Sequence, residues 1–356
     1  MLLYNFGYIE NNWETDLLGL NPQNLFVGKN AVGKSRTIKH IAQAAAIISE
    51  RESIDNLTKS GYAVSLGHDN DTILYYQFAI IDGKVSKETL YVYSFGKSDK
   101  TVIIDRNETL STINGETINP PQNKLIIHVR RDTIEYPVLE TLITWASNVE
   151  GLNFNELEND GDSNLDARIQ SGGTDLFTMV RSFDEASKES VVSKAAAVGY
   201  FMTDIVPVEV GSMLKVVLFS EQGIKEPMFC SELSKGMFRT LYLLIYLEYL
   251  SNTQKPATLL IDDLCEGLDY ERSTKLGKIV FDFCEKNDIQ LIASSNDSFL
   301  MDVVDLKYWN IITREGSKLT AINQARYPEL FEDFRFTGLS NFDLLSSDYI
   351  ARHMKK

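Results

Sequence analysis

One stretch of this chain reads Gly28-Lys29-Asn30-Ala31-Val32-Gly33-Lys34-Ser35, a complete G-x-x-x-x-G-K-S. Glycines at that spacing allow a tight loop whose backbone N–H groups converge on phosphate oxygens, and a following helix adds the positive end of its dipole. Lys34 is placed to reach the β- and γ-phosphates of a triphosphate, and the Ser35 hydroxyl to ligate Mg²⁺. The loop is entered from the apolar run Leu25-Phe26-Val27. It leaves through an Ala- and Ile-rich helical stretch to about Ser49. Strand, glycine loop and helix in that order are the context a phosphate site requires.

Three further groups carry chemistry. Leu259-Leu260-Ile261-Asp262-Asp263 is a buried strand ending in two acids, which is costly unless a cation or donor compensates them. Asp262 suits the carboxylate on the Mg²⁺ side, and Asp263 a base that orients an attacking water. Leu233-Ser234-Lys235-Gly236-Met237 opens a helix over 238–250. Ser234 reads there either as an ordinary N-cap or, with the Gly236 backbone, as an anion site for a γ-phosphate. Gly267-Leu268-Asp269 and Ser294-Ser295-Asn296 close the acid-bearing region, and each alone is also ordinary loop chemistry.

These groups need elements to hold them. Strand-like segments 72–81 and 85–95 flank Asp82-Gly83-Lys84, a hairpin signal. With 101–105 and 124–129 they predict an antiparallel subsheet. Residues 136–203 read as mainly helical, broken by the polar segment 153–166 and by Ser171-Gly172-Gly173. Asp160, Asp162, Asn164 and Asp166 alternate as in a calcium loop. Leu165 stands where that loop needs glycine and Ser171 where it needs a bidentate Glu, so a solvated loop is expected. Strands at 205–210, 213–219, 258–261 and 289–293, alternating with helices after Ser234 and Tyr270, predict a parallel, doubly wound core.

Composition narrows the field. The chain has 356 residues, 44% hydrophobic and 24% charged, enough for a proper core. Asp plus Glu number 50 against 35 Lys plus Arg, a formal charge of −15 that disfavours a general DNA coat. Cys230, Cys265 and Cys284 are too scattered for a disulfide framework or zinc cluster. His40, His68, His128 and His353 make no ligand spacing. No apolar run is long enough for a bilayer, and Met1-Leu2-Leu3-Tyr4 lacks the basic start of a signal peptide, so a cytoplasmic protein is expected.

The order of the phosphate loop (with Asn30), Leu233-Ser234-Lys235-Gly236, Leu259-Leu260-Ile261-Asp262-Asp263 and Gly267-Leu268-Asp269 resembles ABC-type ATPases of the SMC/RecF/OLD-like branch. The resemblance implies an α/β ABC-ATPase-like P-loop fold with a mixed or parallel core sheet, an antiparallel β subdomain and a helical insert. It would be a single domain: N-terminal lobe 1–135, insert 136–204, C-terminal lobe 205–325 and tail 326–356. It implies ATP and Mg²⁺ as cofactors and a homodimer that sandwiches ATP. Nucleotide would be bound by Gly28, Lys29, Asn30, Ala31, Val32, Gly33, Lys34, Ser35 and Arg36 of one copy and by Ser234, Gly236 and Asp269 of the other. Ser35 and Asp262 would hold the metal, with Gln122 a weaker third candidate, and Asp263, Lys34 and Asn296 would serve catalysis. Asp263 replaces the branch's Glu and is one methylene shorter, which implies slow turnover. Asn296 stands where transporter-like members carry a switch His. Arg130 and Arg131 are candidates to face phosphate or nucleic acid.

Two functions of different class follow from the resemblance. One is an ATP-hydrolysing switch in DNA repair or anti-phage defence. The 60 residues after Asn296 are too few for the fused Toprim nuclease of OLD proteins, so its effector, such as a nuclease, would be separately encoded and DNA contact is open. The other is an ATP-dependent scaffold or clamp with little hydrolysis and no DNA binding. A transporter motor fits less well, because Lys34 and Ser234 are 200 residues apart and no membrane-coupling surface is recognisable. The apolar residues of the tail, among them Phe331, Phe334, Phe336 and Leu345, are expected to dock on the chain's own sheet or on a partner.

Overall fold

In the computed structural model the described residues are 1–67, 72–94, 100–152, 170–171, 174–210, 214–253, 256, 258–347 and 349–353. They form two compact units. The first combines Met1–Val149 with Lys307–Phe336, the second Glu150–Leu306 with Thr337–Lys356.

The first unit is built on a mixed sheet. From one edge its strands are Glu116–Thr117, Ser111–Ile113, Lys100–Arg106, Lys84–Ser94, Thr72–Ile81, Lys59–Gly67 and Leu3–Glu10. Trp13–Thr15, Lys318–Ile322, Trp309–Glu315 and Gln23–Val27 follow. Strands neighbouring in sequence pair antiparallel, whereas Trp13–Thr15 runs parallel to Lys318–Ile322 and Gln23–Val27 parallel to Trp309–Glu315. The expected hairpin is present: Asp82 and Gly83 both take positive φ (49° and 70°), as a two-residue primed turn demands. Leu74, Tyr76, Phe78 and Ile80 alternate into the core, each stabilising by about 1.5–3 kcal/mol. The helix Lys34–Ile48 buries Ile38, Ile41, Ala45 and Ile48 along one stripe and packs against the helix Pro137–Ser147.

One expected strand is a helix. Residues 124–129 are β-branched enough to read as β, yet Ile126–Val129 forms a helical turn. The reason lies 38 residues upstream. The fully buried Glu88 carboxylate accepts the N–H groups of Ile126 (2.7 Å) and Ile127 (3.3 Å), satisfying the free donors of a helix start. Tyr76 Oη donates to the same carboxylate at 2.9 Å and Arg106 stands 3.8 Å away. Arg106 also donates to the carbonyls of Lys124 and Pro121, fastening the whole segment to the sheet.

In the second unit Thr258–Ile261 and Gln290–Ser294 pair in parallel, every residue of both buried. The helix Lys235–Asn252 precedes them in sequence and Tyr270–Lys286 connects them. The strands expected at 205–210 and 213–219 are present as Met202–Val210 and Leu214–Glu221, but they do not join the parallel pair. Adjacent in sequence, they form a hairpin and, with Met228–Phe229, a separate antiparallel sheet. The region expected to be helical contains Pro137–Ser147, Leu176–Arg181 and Glu185–Val198, and also the strand Val149–Leu152. The calcium-like spacing of Asp160, Asp162, Asn164 and Asp166 lies outside the described residues, as does His68. In the tail, Leu330, Phe331, Phe334 and Leu344 are buried, whereas Phe336 is 89% exposed.

Candidate nucleotide-binding site

In the first unit the buried strand Gln23–Val27 delivers the chain into Gly28 at φ +151°. A Cβ there would stand 2.5 Å from the Ile312 carbonyl oxygen, so the loop backbone lies against the strand Trp309–Glu315 in a way only glycine permits. Gly33, at φ +106°, approaches Leu319 as closely: a Cβ would meet its Cδ2 at 2.4 Å. Lys34 is only 5% exposed, and its ammonium donates to the carbonyls of Gly28 (2.9 Å) and Lys29 (3.3 Å), so it folds back over the loop. Lys29, Asn30, Ala31 and Ser35 are exposed, with Val32 half-buried between them. The helix Lys34–Ile48 begins at Gly33 with no side-chain cap and no acid in its first turn. Its positive end is left for an external anion.

Arg36, in that first turn, pairs with the Glu10 carboxylate, which also meets His40 Nε2 at 3.1 Å. The Arg36 guanidinium lies 4.4 Å from the Trp13 ring centre, and Arg314 lies 4.9 Å from the same ring. Burial lowers the His40 pKa, and the Glu10 carboxylate beside it opposes that shift. Sequence reading missed Trp13 and Arg314. A tryptophan in a polar turn was the available signal, and the second arginine reaches it only through the sheet, on the strand Trp309–Glu315 that pairs with Lys318–Ile322, the neighbour of Trp13–Thr15.

Two expected residues of this unit stand elsewhere. Gln122 lines a groove of about 640 Å³ with Lys84, Asn107, Glu108 and Asn119, and no residue of 28–36 lines it. Arg131 is held by Glu140 through two 2.8 Å hydrogen bonds, and Arg130 is exposed.

In the second unit Asp262 and Asp263 follow the strand Thr258–Ile261. Asp262 is 8% exposed, and Asp263 takes φ 54°, an uncommon backbone for a residue with a side chain. The parallel register sets Ile261 beside Ala293, which brings Ser294 to the acids. The Ser294 hydroxyl donates to Asp262 Oδ1 and accepts the Asp263 N–H at 2.9 Å. Asn296 Nδ2 donates to Asp263 Oδ1 at 3.4 Å. Residues that carried little weight singly in the sequence thus form one polar cluster with the acid pair.

Ser234 caps the helix Lys235–Asn252, accepting the Met237 N–H at 3.3 Å, and it is exposed. Gly236 sits against the turn that follows the acids. A Cβ there would meet Leu268 Cδ2 at 3.0 Å and the Gly267 carbonyl at 3.2 Å. Asp269 caps the helix Tyr270–Lys286 by accepting the Arg272 N–H at 3.0 Å, and this hydrogen bond, with the Arg272 guanidinium, lowers its pKa. The structure therefore joins Ser234, Gly236, Gly267 and Asp269 into one corner of the second unit.

Among the described residues no group of three His, Cys, Asp or Glu could hold a metal ion by itself. Mg²⁺ commonly takes one or two protein oxygens and completes its shell with phosphate and water; of the two oxygen donors expected for it, Ser35 is exposed in the first unit and Asp262 is buried in the second. No described helix is long and apolar enough to cross a membrane.

No known family profile and no characterised protein matches the sequence. Solved structures do. An SMC head bound to the C-terminal winged-helix domain of ScpA superposes with a TM-score of 0.54 at 10% identity, covering 90% of this chain and 98% of that one. The SMC head domain of Pyrococcus furiosus, with an extended coiled coil and bound to the C-terminal domain of ScpA, gives 0.53 at 9% identity, covering 94% and 99%. At such identity the likeness is one of architecture, and it agrees with the strand–loop–helix and the acid-tipped strand described above: this chain has the ABC-type ATPase fold of an SMC head domain.

Proposed function

We propose that this protein is a Mg²⁺-dependent ATPase that closes as a homodimer around ATP and acts as a switch for a separately encoded effector. The observation that carries the reading is the Gly28–Ser35 loop. Its two glycines are pressed against the sheet, its lysine lies along the loop carbonyls, and it opens an uncapped helix. In the proposed site that loop and Arg36 cradle the phosphates, Lys34 neutralises them, and Ser35 and Asp262 hold the metal. Mg²⁺ would offset the charge that develops on the transferred phosphoryl group. Asp263 orients the attacking water, held in place by Ser294 and Asn296. Ser234, Gly236 and Asp269 of the second copy complete the pocket.

The SMC head structures matched here hold ScpA domains, which supports an effector protein for this chain as well. The pathway we assign is DNA repair or defence against phage, in the cytoplasm. The charge of −15 favours a second reading, an ATP-dependent scaffold that touches a basic partner and not DNA. Filter binding of duplex and single-stranded DNA across a salt series separates the two: no affinity even at low salt selects the scaffold.

The ATPase reading is tested by steady-state phosphate release and by the mass of the particle with and without ATP. Wild type should hydrolyse ATP with Mg²⁺, Asp263→Asn should bind ATP without turnover, and Lys34→Ala should bind none. Ser234→Arg should bind ATP yet stay monomeric. Turnover in Lys34→Ala equal to wild type would remove the site from the reaction.

A further inference from the structure

Arg272 occupies a position that helix stability alone does not favour. It lies in the first turn of Tyr270–Lys286, three residues after the N-cap Asp269. A cation there opposes the helix dipole, and Glu or Gln is the residue that completes a capping box at that place. The cap itself needs only the Arg272 backbone N–H, which Asp269 Oδ1 accepts at 3.0 Å. The side chain is engaged elsewhere as well. Its guanidinium pairs with the Asp269 carboxylate, lies 4.7 Å from the centre of the Tyr200 ring, and donates through Nη2 to the Gly199 carbonyl at 3.4 Å. Its Nε is buried without a hydrogen-bond partner, a further penalty.

Gly199 and Tyr200 end the helix Glu185–Val198, where Gly199 takes φ +108° to close it. The Tyr200 hydroxyl in turn comes to 3.7 Å from where a Gly236 Cβ would stand, on the same side as Gly267 and Leu268. One guanidinium therefore links the acid of the 267–269 turn to the end of the helical insert. The tyrosine under it touches the serine-capped helix.

We infer that Arg272 is a positioning residue: through Tyr200 and Gly199 it holds Asp269 and the 267–269 turn in register with Ser234 and Gly236, and so ties ATP turnover to the placement of the insert helix. The inference rests on the ATPase reading above. Arg272 and the groups it contacts belong to the second unit and the phosphate loop to the first, so its loss acts on turnover and not on nucleotide affinity. The planar stack on Tyr200 and the reach to Gly199 are specific to a guanidinium, and lysine supplies neither together.

The test is a double-mutant cycle read in kcat, in Kd for ATP and in Tm. Arg272→Ala and Tyr200→Ala should each lower kcat about tenfold, with Kd within twofold of wild type. The double variant should be no slower than Arg272→Ala alone, because both remove one contact. Tyr200→Phe, which keeps the ring under the guanidinium and loses only the hydroxyl near Gly236, should lose less turnover than Tyr200→Ala, and Arg272→Lys should lose as much as Arg272→Ala. Undiminished kcat in Arg272→Ala, or single losses that multiply in the double variant, overturns the inference. So does a fall in kcat as large in Tyr200→Phe as in Tyr200→Ala. If Arg272→Ala fails to fold, the Tyr200 pair decides alone. A wild type that binds no ATP would instead bring down the ATPase reading itself.

Discussion

Replacing Glu88 by Gln should flatten one component of the protein's pH dependence. Glu88 is wholly buried, and burial pushes its carboxyl up to about 7 from 4.5 despite hydrogen bonds from Ile126, Tyr76 and Ile127 and the nearby Arg106. The folded protein therefore keeps a proton on Glu88 that the unfolded chain releases near 4.5. Stability from this group is complete below that value and is lost as pH rises through about 7. At about 1.4 kcal/mol per pH unit, the interval from 4.5 to about 7 amounts to about 3 kcal/mol in all. About 2 kcal/mol of it falls between pH 5.5 and 8.5, a range above the chain's pI of 4.8. The glutamine keeps an acceptor for the helix start and has nothing to ionise, so its own penalty is the same at every pH. Trp13, Trp145 and Trp309 all lie in the first unit with Glu88, so urea unfolding followed by tryptophan emission reads the right body. Wild type should weaken relative to Glu88→Gln by about 2 kcal/mol across that range. A difference constant to within about 0.5 kcal/mol, or one of opposite slope, refutes the burial argument.

Other substitutions probe the site directly. Gly28→Ala forces a methyl toward the Ile312 carbonyl at a φ that side chains avoid. It should cost about 1–3 kcal/mol of stability and weaken ATP binding at least tenfold by isothermal titration. Ser294→Ala leaves the buried Asp262 without a hydroxyl donor. A loss of about 1.5–3 kcal/mol in urea unfolding is expected, with slower phosphate release and unchanged ATP affinity. Gly236→Ala pushes on Leu268 and the Gly267 carbonyl. ATP-dependent dimerisation by light scattering should weaken while the monomer binds ATP as before; dimerisation at wild-type strength would contradict the role given to that corner.

What could be read ahead of the structure was local in sequence. The phosphate loop, the Asp82-Gly83 turn and the acid-tipped strand each announce themselves within ten residues, because φ preference, apolar run length and buried charge act at short range. What escaped depends on partners distant along the chain. The strand expected at 124–129 became a helix because Glu88 supplies a cap from another strand. Ser294 gained its place only through the parallel register of Ile261 with Ala293. Arg272 was not singled out in the sequence, because Gly199 and Tyr200, which it meets, lie more than 70 residues upstream. Ser234 shows the converse: its N-cap reading is met, and its trans role in the proposed dimer rests on the resemblance alone.

The stack of Arg36 and Arg314 on Trp13 also gives the molecule a built-in optical probe. Trp145 and Trp309 are sealed from solvent at 1% and 0% exposure, whereas Trp13 is half-buried. Collisional quenchers therefore reach one indole, and that indole abuts the arginine one residue past Ser35. Changes in its emission or quenching rate on mixing with nucleotide would time events at the loop without any label, and Trp13→Phe supplies the dark reference.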